Sequence, residues 1–274
     1  MRLKIRNYFK ECLCALFCFF LSGNYFSQTI AIKDSIDKKP IAFCEILIND
    51  KTYYSDSLGN FECKDIQHKL NIKKFGYKDK IIYKLSDTPY QIIYMSPKYI
   101  SIPGIDLKPT EQLTIKPNVK KTNTTILSTG FDLGFKLVNN TGRNALIKQI
   151  ILPIKEIRNS NYYLKLDFYE LTDNKNDITS KKINGDSQFI PVASLQSGNN
   201  AISLDEKIAL PKEGVLLSMR IIENIGKYSD RVTNPVIVFY HDKVFGNTYF
   251  YNSKHIWEEF KSNPKIAIGL VLLQ

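Results

Sequence analysis

Residues 131–137 read Phe-Asp-Leu-Gly-Phe-Lys-Leu, with Phe131, Leu133, Phe135 and Leu137 alternating with Asp132, Gly134 and Lys136. An apolar residue at every second position is the mark of a strand that buries one face. The pattern recurs downstream. Leu164, Leu166 and Phe168 alternate with Lys165, Asp167 and Tyr169, and Val215, Leu217, Met219 and Ile221 lie on one face of another run. Residues 145–154, 236–240, 248–251 and 266–272 are further strand candidates. Eight or so strands within about 150 residues point to a jelly-roll-like β-sandwich over 125–274. One helical signal interrupts them. Asn252 or Ser253 can cap a short helix that buries Ile256, Trp257 and Phe260 and exposes Glu258, Glu259 and Lys261.

The preceding part of the chain has the same rhythm in shorter pieces. Residues 29–34 are strand-like and 37–40 form a turn. Cys44, Ile46 and Ile48 share one strand face. The run Asp56-Ser57-Leu58-Gly59-Asn60 is a turn with glycine where a positive φ is expected, and Phe61 and Cys63 then share a face. Residues 71–79, 80–83 and 91–95 continue the pattern. Such spacing predicts a second, smaller sandwich over 29–96.

The first 28 residues are of a different kind. Arg2, Lys4, Arg6 and Lys10 precede a ten-residue apolar run, 12–21, and Ser22, Gly23 and Phe26-Ser27-Gln28 follow. A spanning helix needs about 20 apolar residues, so the run is too short, and the order is that of a secretory signal peptide cut near Gln28. Cys18 follows Phe17 rather than a small residue, which argues against lipidation. No later segment is apolar enough to cross a membrane as a helix. The expected location is outside the cytoplasm: periplasmic, outer-membrane-associated or extracellular.

The leader, then Asp37-Lys38-Lys39-Pro40, the strand to Ile48, the Asp56-x-x-Gly59-Asn60-Phe61 turn and Phe75-Gly76-Tyr77-Lys78 together resemble the carboxypeptidase regulatory-like domain. That domain is common in envelope proteins of Bacteroidota. The resemblance covers residues 29–96 and implies a transthyretin-like β-sandwich with no catalytic role of its own. The sequence departs from the pattern at Ala42-Phe43, where a Pro-Gly pair is common. The chain as a whole thus reads as all-β: a small transthyretin-like sandwich over 29–96, a linker over 97–124 with Pro97, Pro103, Pro109 and Pro117, and the larger jelly-roll-like sandwich over 125–274 with one short helix.

Charge and chemistry narrow the function. The formal charge is +11, of which the leader contributes four basic residues and Glu11, a net of +3, leaving +8. Lysine supplies 32 of the 38 basic residues and arginine six. Arginine is the residue for bidentate phosphate recognition, so no nucleic-acid partner is expected. The partner is not identified by sequence; an envelope protein or a glycan fits the compartment. No catalytic, cofactor-binding or metal-binding residue is assigned. His255-Ile256-Trp257-Glu258 has the His-x-x-Glu spacing of a zinc site but no downstream histidine to complete it. His68 and His241 stand alone in different regions, and Asp242 beside His241 reads as a turn. Asp56, Ser57 and Gly59 lack the spaced carboxylates of a calcium loop. Asp167 and Glu170 fall on opposite faces of one strand. Tyr53-Tyr54, Tyr162-Tyr163 and Tyr249-Phe250-Tyr251 could stack on sugar rings, although ordinary β packing also explains them. The rival reading is a carbohydrate-active enzyme or an accessory of an outer-membrane uptake receptor.

Three of the five cysteines lie in the leader. Alternation places the other two, Cys44 and Cys63, inward within the small sandwich. A disulfide between them would close a loop of about 20 residues and contribute about 3 kcal/mol; two separate buried thiols are the favoured alternative.

Overall fold

Four β-sheets stack as two sandwiches, one built from each half of the chain. The computed structural model describes residues 28–49, 51–63, 69–86, 88–98, 111–171, 178–222, 234–241, 248–251, 257–259 and 266–274. The first sandwich contains β1 (Gln28–Asp34), β2 (Glu45–Ile48), β3 (Lys51–Tyr54), β4 (Asn60–Cys63), β5 (Leu70–Lys73), β6 (Lys80–Ile82) and β7 (Tyr90–Met95). One sheet has the order β4-β1-β7 and the other β3-β2-β5-β6. β1 and β7 are parallel, and the remaining pairs are antiparallel.

Alternation decides which residues meet between these two sheets. Ile30, Ile32, Ile46, Phe61, Ile72 and Met95 are fully buried there. Each contributes about 2 kcal/mol relative to exposure. Cys44 and Cys63 join this core, with no bond between their sulfurs. The turn between β3 and β4 forms as its residue types dictate. Asp56 Oδ1 accepts the N–H groups of Leu58 at 2.8 Å and Asn60 at 2.7 Å, so its carboxylate closes the turn. Gly59 has φ +73°, and a Cβ there would lie 2.6 Å from the Ile32 carbonyl oxygen.

The second sandwich contains β8 (Gln112–Ile115), β9 (Lys120–Ser128), β10 (Asp132–Leu137), β11 (Ala145–Ile157), β12 (Tyr163–Leu171), β13 (Ile178–Lys182) and β14 (Gln188–Pro191). It continues with β15 (Gly198–Leu210), β16 (Val215–Ile222), β17 (Pro235–His241), β18 (Thr248–Tyr251), β19 (Trp257–Glu259) and β20 (Gly269–Leu273). A seven-stranded sheet runs β13-β12-β16-β10-β18-β19, with β14 also paired to β12. A six-stranded sheet runs β8-β20-β11-β17-β9, with β15 also paired to β11. Leu164, Leu166, Leu217 and Met219 from the first sheet meet Ile150, Phe239, Leu270 and Leu272 from the second.

Several expectations change. Trp257–Glu259 is a strand rather than part of a helix: β19 pairs with β18, Tyr251 opposite Trp257 and Tyr249 opposite Glu259. The Trp257 indole packs on Tyr169 at 5.6 Å and Tyr251 at 5.0 Å. A helix of two turns is too short to hold itself in water, so pairing and aromatic packing decide the conformation. Asn252, Ser253, Ile256 and Phe260 lie outside the described residues. The only described helix is a single 3-10 turn, Val192–Ser194. The second sandwich also begins earlier than residue 125. β8 pairs with β20 and β9 with β17, so residues 112–115 and 120–124 of the expected linker are sheet. β11 runs straight through Pro153. That residue falls between the end of β20 pairing at Ile151 and the start of β17 pairing at Ile154, where a missing N–H breaks no bond on that side.

Candidate functional site: the seam between the sandwiches

On β12, Leu164, Leu166 and Phe168 point into the core, so Tyr163, Lys165, Asp167 and Tyr169 must point the other way. In an isolated sandwich that face would meet water. Here the first sandwich packs on its Tyr163–Lys165 end, and Trp257 of β19 covers Tyr169. Tyr54 at the end of β3 and Phe43 before β2 supply the contacts.

The outward row of β12 therefore carries charge into an interior. Asp167 Oδ2 lies 2.8 Å from Lys165 Nζ and Asp167 Oδ1 lies 2.9 Å from Lys182 Nζ. The Asp167 side chain is 4% exposed and that of Lys165 12%. Asn184 Nδ2 donates to Asp167 Oδ1 at 3.3 Å, and its Oδ1 accepts the Phe168 N–H at 2.7 Å. Lys165 Nζ donates to Tyr54 Oη at 2.9 Å, across the seam. On the neighbouring strands Arg220 pairs with Asp132 at 3.4 Å. An ion pair between the sandwiches joins Lys74 and Asp186 at 2.9 Å.

The electrostatics follow from this geometry. Burial pushes the Asp167 carboxyl up, but Lys165 and Lys182 outweigh it and hold the pKa down at about 2. Burial works against the Lys165 ammonium too, but its hydrogen bond to Tyr54 Oη and the Asp167 carboxylate more than offset it, and its pKa stands well above that of an ordinary lysine. Burial raises the Tyr54 phenol, so Tyr54 stays protonated. Each group is thus fixed in one protonation state across the physiological range. A proton-transfer pair needs the opposite, groups poised near the working pH.

Aromatic contacts flank the ion cluster. The Phe43 ring stacks on Phe189 at 4.7 Å and tilts against Tyr163 at 5.8 Å, and Tyr54 meets Phe189 edge-on at 5.2 Å. Phe43 holds φ +53°, a left-handed conformation that is rare for a bulky residue. Phe43 thus accepts backbone strain of about 1–3 kcal/mol and places its ring across the seam. Phe75 reaches over from the first sandwich onto Gly185, where a Cβ would lie 2.7 Å from the ring.

Two small grooves lie on either side of Phe75. One, of about 260 Å³, runs between Phe43, Lys73, Lys182, Asp186 and Phe189. The other, of about 210 Å³, is bounded by Leu204, Asp205, Glu206 and Asn184. Glu206 accepts the Gly185 N–H, and burial raises its pKa.

The residues singled out in the sequence are dispersed. His68, His255 and Asp242 lie outside the described residues. His241 hydrogen-bonds through Nε2 to Thr125 on β9, and partial burial lowers its pKa. Glu258 is exposed on β19. Glu170 pairs with Lys181 at 2.9 Å, on the side of β12 opposite to Asp167. Tyr54, Tyr163 and Tyr251 are committed to protein contacts at the seam or against Trp257. Among the described residues no three His, Cys, Asp or Glu side chains gather as a metal site, and no helix is long and apolar enough to cross a membrane. Sequence reading missed the Lys165–Asp167–Lys182 cluster. Its one trace was the alternating Tyr163-x-Lys165-x-Asp167-x-Tyr169, which reads as an ordinary solvent face.

No protein-family model matches the chain, and no curated protein matches it. Among solved structures it is similar to the cysteine protease and lectin-like domains of a surface layer associated protein of Clostridium difficile, at 7% identity and TM-score 0.37. The match covers 81% of this chain and 48% of that one, so this chain spans about half its length.

Proposed function

We propose that the chain is an exported, non-catalytic cell-envelope protein: the first sandwich is a partner-binding module held rigidly on the second. The observation that carries this reading is the state of the seam. Lys165 and Asp167 are buried, matched to each other and fixed in their protonation states, the arrangement of a structural joint rather than a reaction site. The export half of the reading rests on the leader alone. The resemblance of residues 29–96 to the carboxypeptidase regulatory-like domain supports the same reading.

Two experiments test it. N-terminal analysis of the protein recovered from its native cells is expected to find a start near Thr29, within a few residues; an intact Met1 would refute export. Incubation with a panel of aryl glycosides and peptides is expected to give no turnover above background. The rival, a carbohydrate-active enzyme, rests on the raised carboxyl of Glu206 beside its groove. Turnover abolished by Glu206→Gln would establish that rival and overturn the non-catalytic reading.

A further inference from the structure

The outer face of the first sandwich, away from the seam, presents a row of large side chains to solvent. Tyr90 is 50% exposed, Ile92 38% and Tyr94 41%. All three lie on β7, an edge strand. The hydrogen-bond parity of β7 matters as much as its side chains. Thr29 N–H donates to the Pro89 carbonyl and Ser35 N–H to the Met95 carbonyl, both at 2.9 Å. With the parallel register Thr29 to Tyr90, residues 89, 91, 93 and 95 therefore turn their backbone groups toward β1. The backbone groups of Tyr90, Ile92 and Tyr94 turn to the open edge. Beyond them, Ser96 has the same parity, and its carbonyl accepts the Lys78 N–H at 2.9 Å. Among the described residues that edge is thus taken by the chain itself at residue 96 and at the Tyr90 carbonyl, which accepts the Thr88 hydroxyl at 3.0 Å, and its other backbone groups from 90 to 94 pair with no strand.

Edge strands are ordinarily guarded by charge or proline. β3 carries Lys51, β4 Glu62, β6 Lys80, β9 Lys120 and β19 two glutamates; β8, Gln-Leu-Thr-Ile, has neither but is short, and β7 reads Tyr-Gln-Ile-Ile-Tyr-Met with neither over six residues. The charge lies in the flanking sequence instead. Within residues 76–98, Lys78, Lys80, Lys84 and Lys98 face a single described acid, Asp79. Lys38 sits 4.5 Å over the Tyr94 ring. Other acids of this sandwich are engaged or farther off: Asp34 accepts Tyr77 Oη at 2.9 Å, Asp37 pairs with Lys39 at 2.9 Å, and Glu62 is separated from Tyr90 by β1.

We propose that the 90–94 edge of β7 receives an extended strand of a partner protein, flanked by acidic residues. Added beside β7, such a strand would bond the Tyr90 N–H and the backbone groups of Ile92 and Tyr94 and lay its side chains along theirs, with its acids over the neighbouring lysines. A second copy of this chain fits less well, because the same lysines would then face one another. The inference rests on the partner-binding half of the reading above; the turnover assay tests the non-catalytic half separately.

The probe is a nine-residue synthetic peptide, Glu-Glu-Val-Thr-Val-Thr-Val-Glu-Glu, titrated into the full mature chain by calorimetry, beside a counterpart with lysines at both ends. The acidic peptide is expected to bind at least about tenfold more tightly at low salt, and about 0.5 M salt should erase most of that difference. N-methylation of alternate backbone nitrogens in the peptide should abolish binding, and so should Ile92→Pro, which removes an edge N–H without touching the β1 ladder. Tyr94→Glu, which repels the acids, should weaken binding and serves if Ile92→Pro does not fold. No binding of either peptide at about 1 mM, equal binding of both, or binding that survives backbone methylation would each overturn the proposal. So would sedimentation of the chain as a dimer that Ile92→Pro dissolves, which would assign the edge to a second copy.

Discussion

The two sheet faces that flank the first sandwich invert the usual rule of polar outside and apolar inside. The face of β12 carries Lys165 and Asp167 and is buried; the face of β7 carries Tyr90, Ile92 and Tyr94 and is exposed. Alternation along a strand says which side chains share a face. It does not say what covers that face. At the seam the cover is a second sandwich, and charges serve because they find one another across and along the sheets. At β7 the described residues provide no cover, and aromatic residues stand in solvent.

The largest effect is expected where that contrast is broken at the seam. Asp167→Ala leaves Lys165 and Lys182 beside each other without a counter-ion. Removing one partner of a buried pair costs about 3–5 kcal/mol; because Lys182 reaches solvent, about 3 kcal/mol is expected, a drop of roughly 10 °C in melting temperature. The double change Lys165→Met with Asp167→Leu should recover most of that loss, since it removes both charges together. Recovery of nothing would mean the seam depends on its charges specifically.

Acid probes the same cluster without mutation. The folded Asp167 carboxyl has a pKa of about 2, below its unfolded value near 3.9. A depressed carboxyl contributes stability that is fully present above the unfolded value and is lost as pH falls through the folded one. About 2 kcal/mol should therefore disappear between about pH 4 and pH 2 in the native protein. The slope of stability against pH should flatten in Asp167→Ala over that window.

Phe43 sharpens the comparison by about 1 kcal/mol. Both Phe43→Ala and Phe43→Gly lose the ring from Phe189 and Tyr163. Alanine keeps the strain of a positive φ and glycine does not, so Phe43→Ala should be the less stable by about 1 kcal/mol in denaturant titration. Equal costs would show that the backbone relaxes at no penalty. Smallest of all, Tyr90→Ser with Tyr94→Ser should change stability by less than about 0.5 kcal/mol, the mark of a face that the fold does not use.

Much of the fold could be read from residue order. Period-two alternation identified the strands around 133–137, 164–168 and 215–221, and residue type identified the Asp56–Gly59 turn, because those signals are local. Trp257 was misjudged for the converse reason. Its spacing from Ile256 and Phe260 satisfies a helix, and only the distant Tyr169 and Tyr251 decide otherwise. β8 and β9 were hidden in a stretch punctuated by prolines, although Pro117 sits between the two strands and interrupts neither. The seam left still less trace. Lys165 and Asp167 look solvated in any single strand, and their burial is a property of two sandwiches meeting. The departure at Ala42-Phe43 did carry information. It marks a position whose backbone is left-handed and whose side chain crosses to the other sandwich, but the sequence offers no means of telling that use from a loosened turn.

The central claim is that the matched charges and rings of the seam make the two sandwiches one cooperative unit. Scanning calorimetry of the mature chain tests it directly, by comparing the calorimetric with the van't Hoff enthalpy. A single transition with the two enthalpies equal is predicted, moved down as a whole by Asp167→Ala. Two resolved transitions, neither shifted by Asp167→Ala, would contradict it.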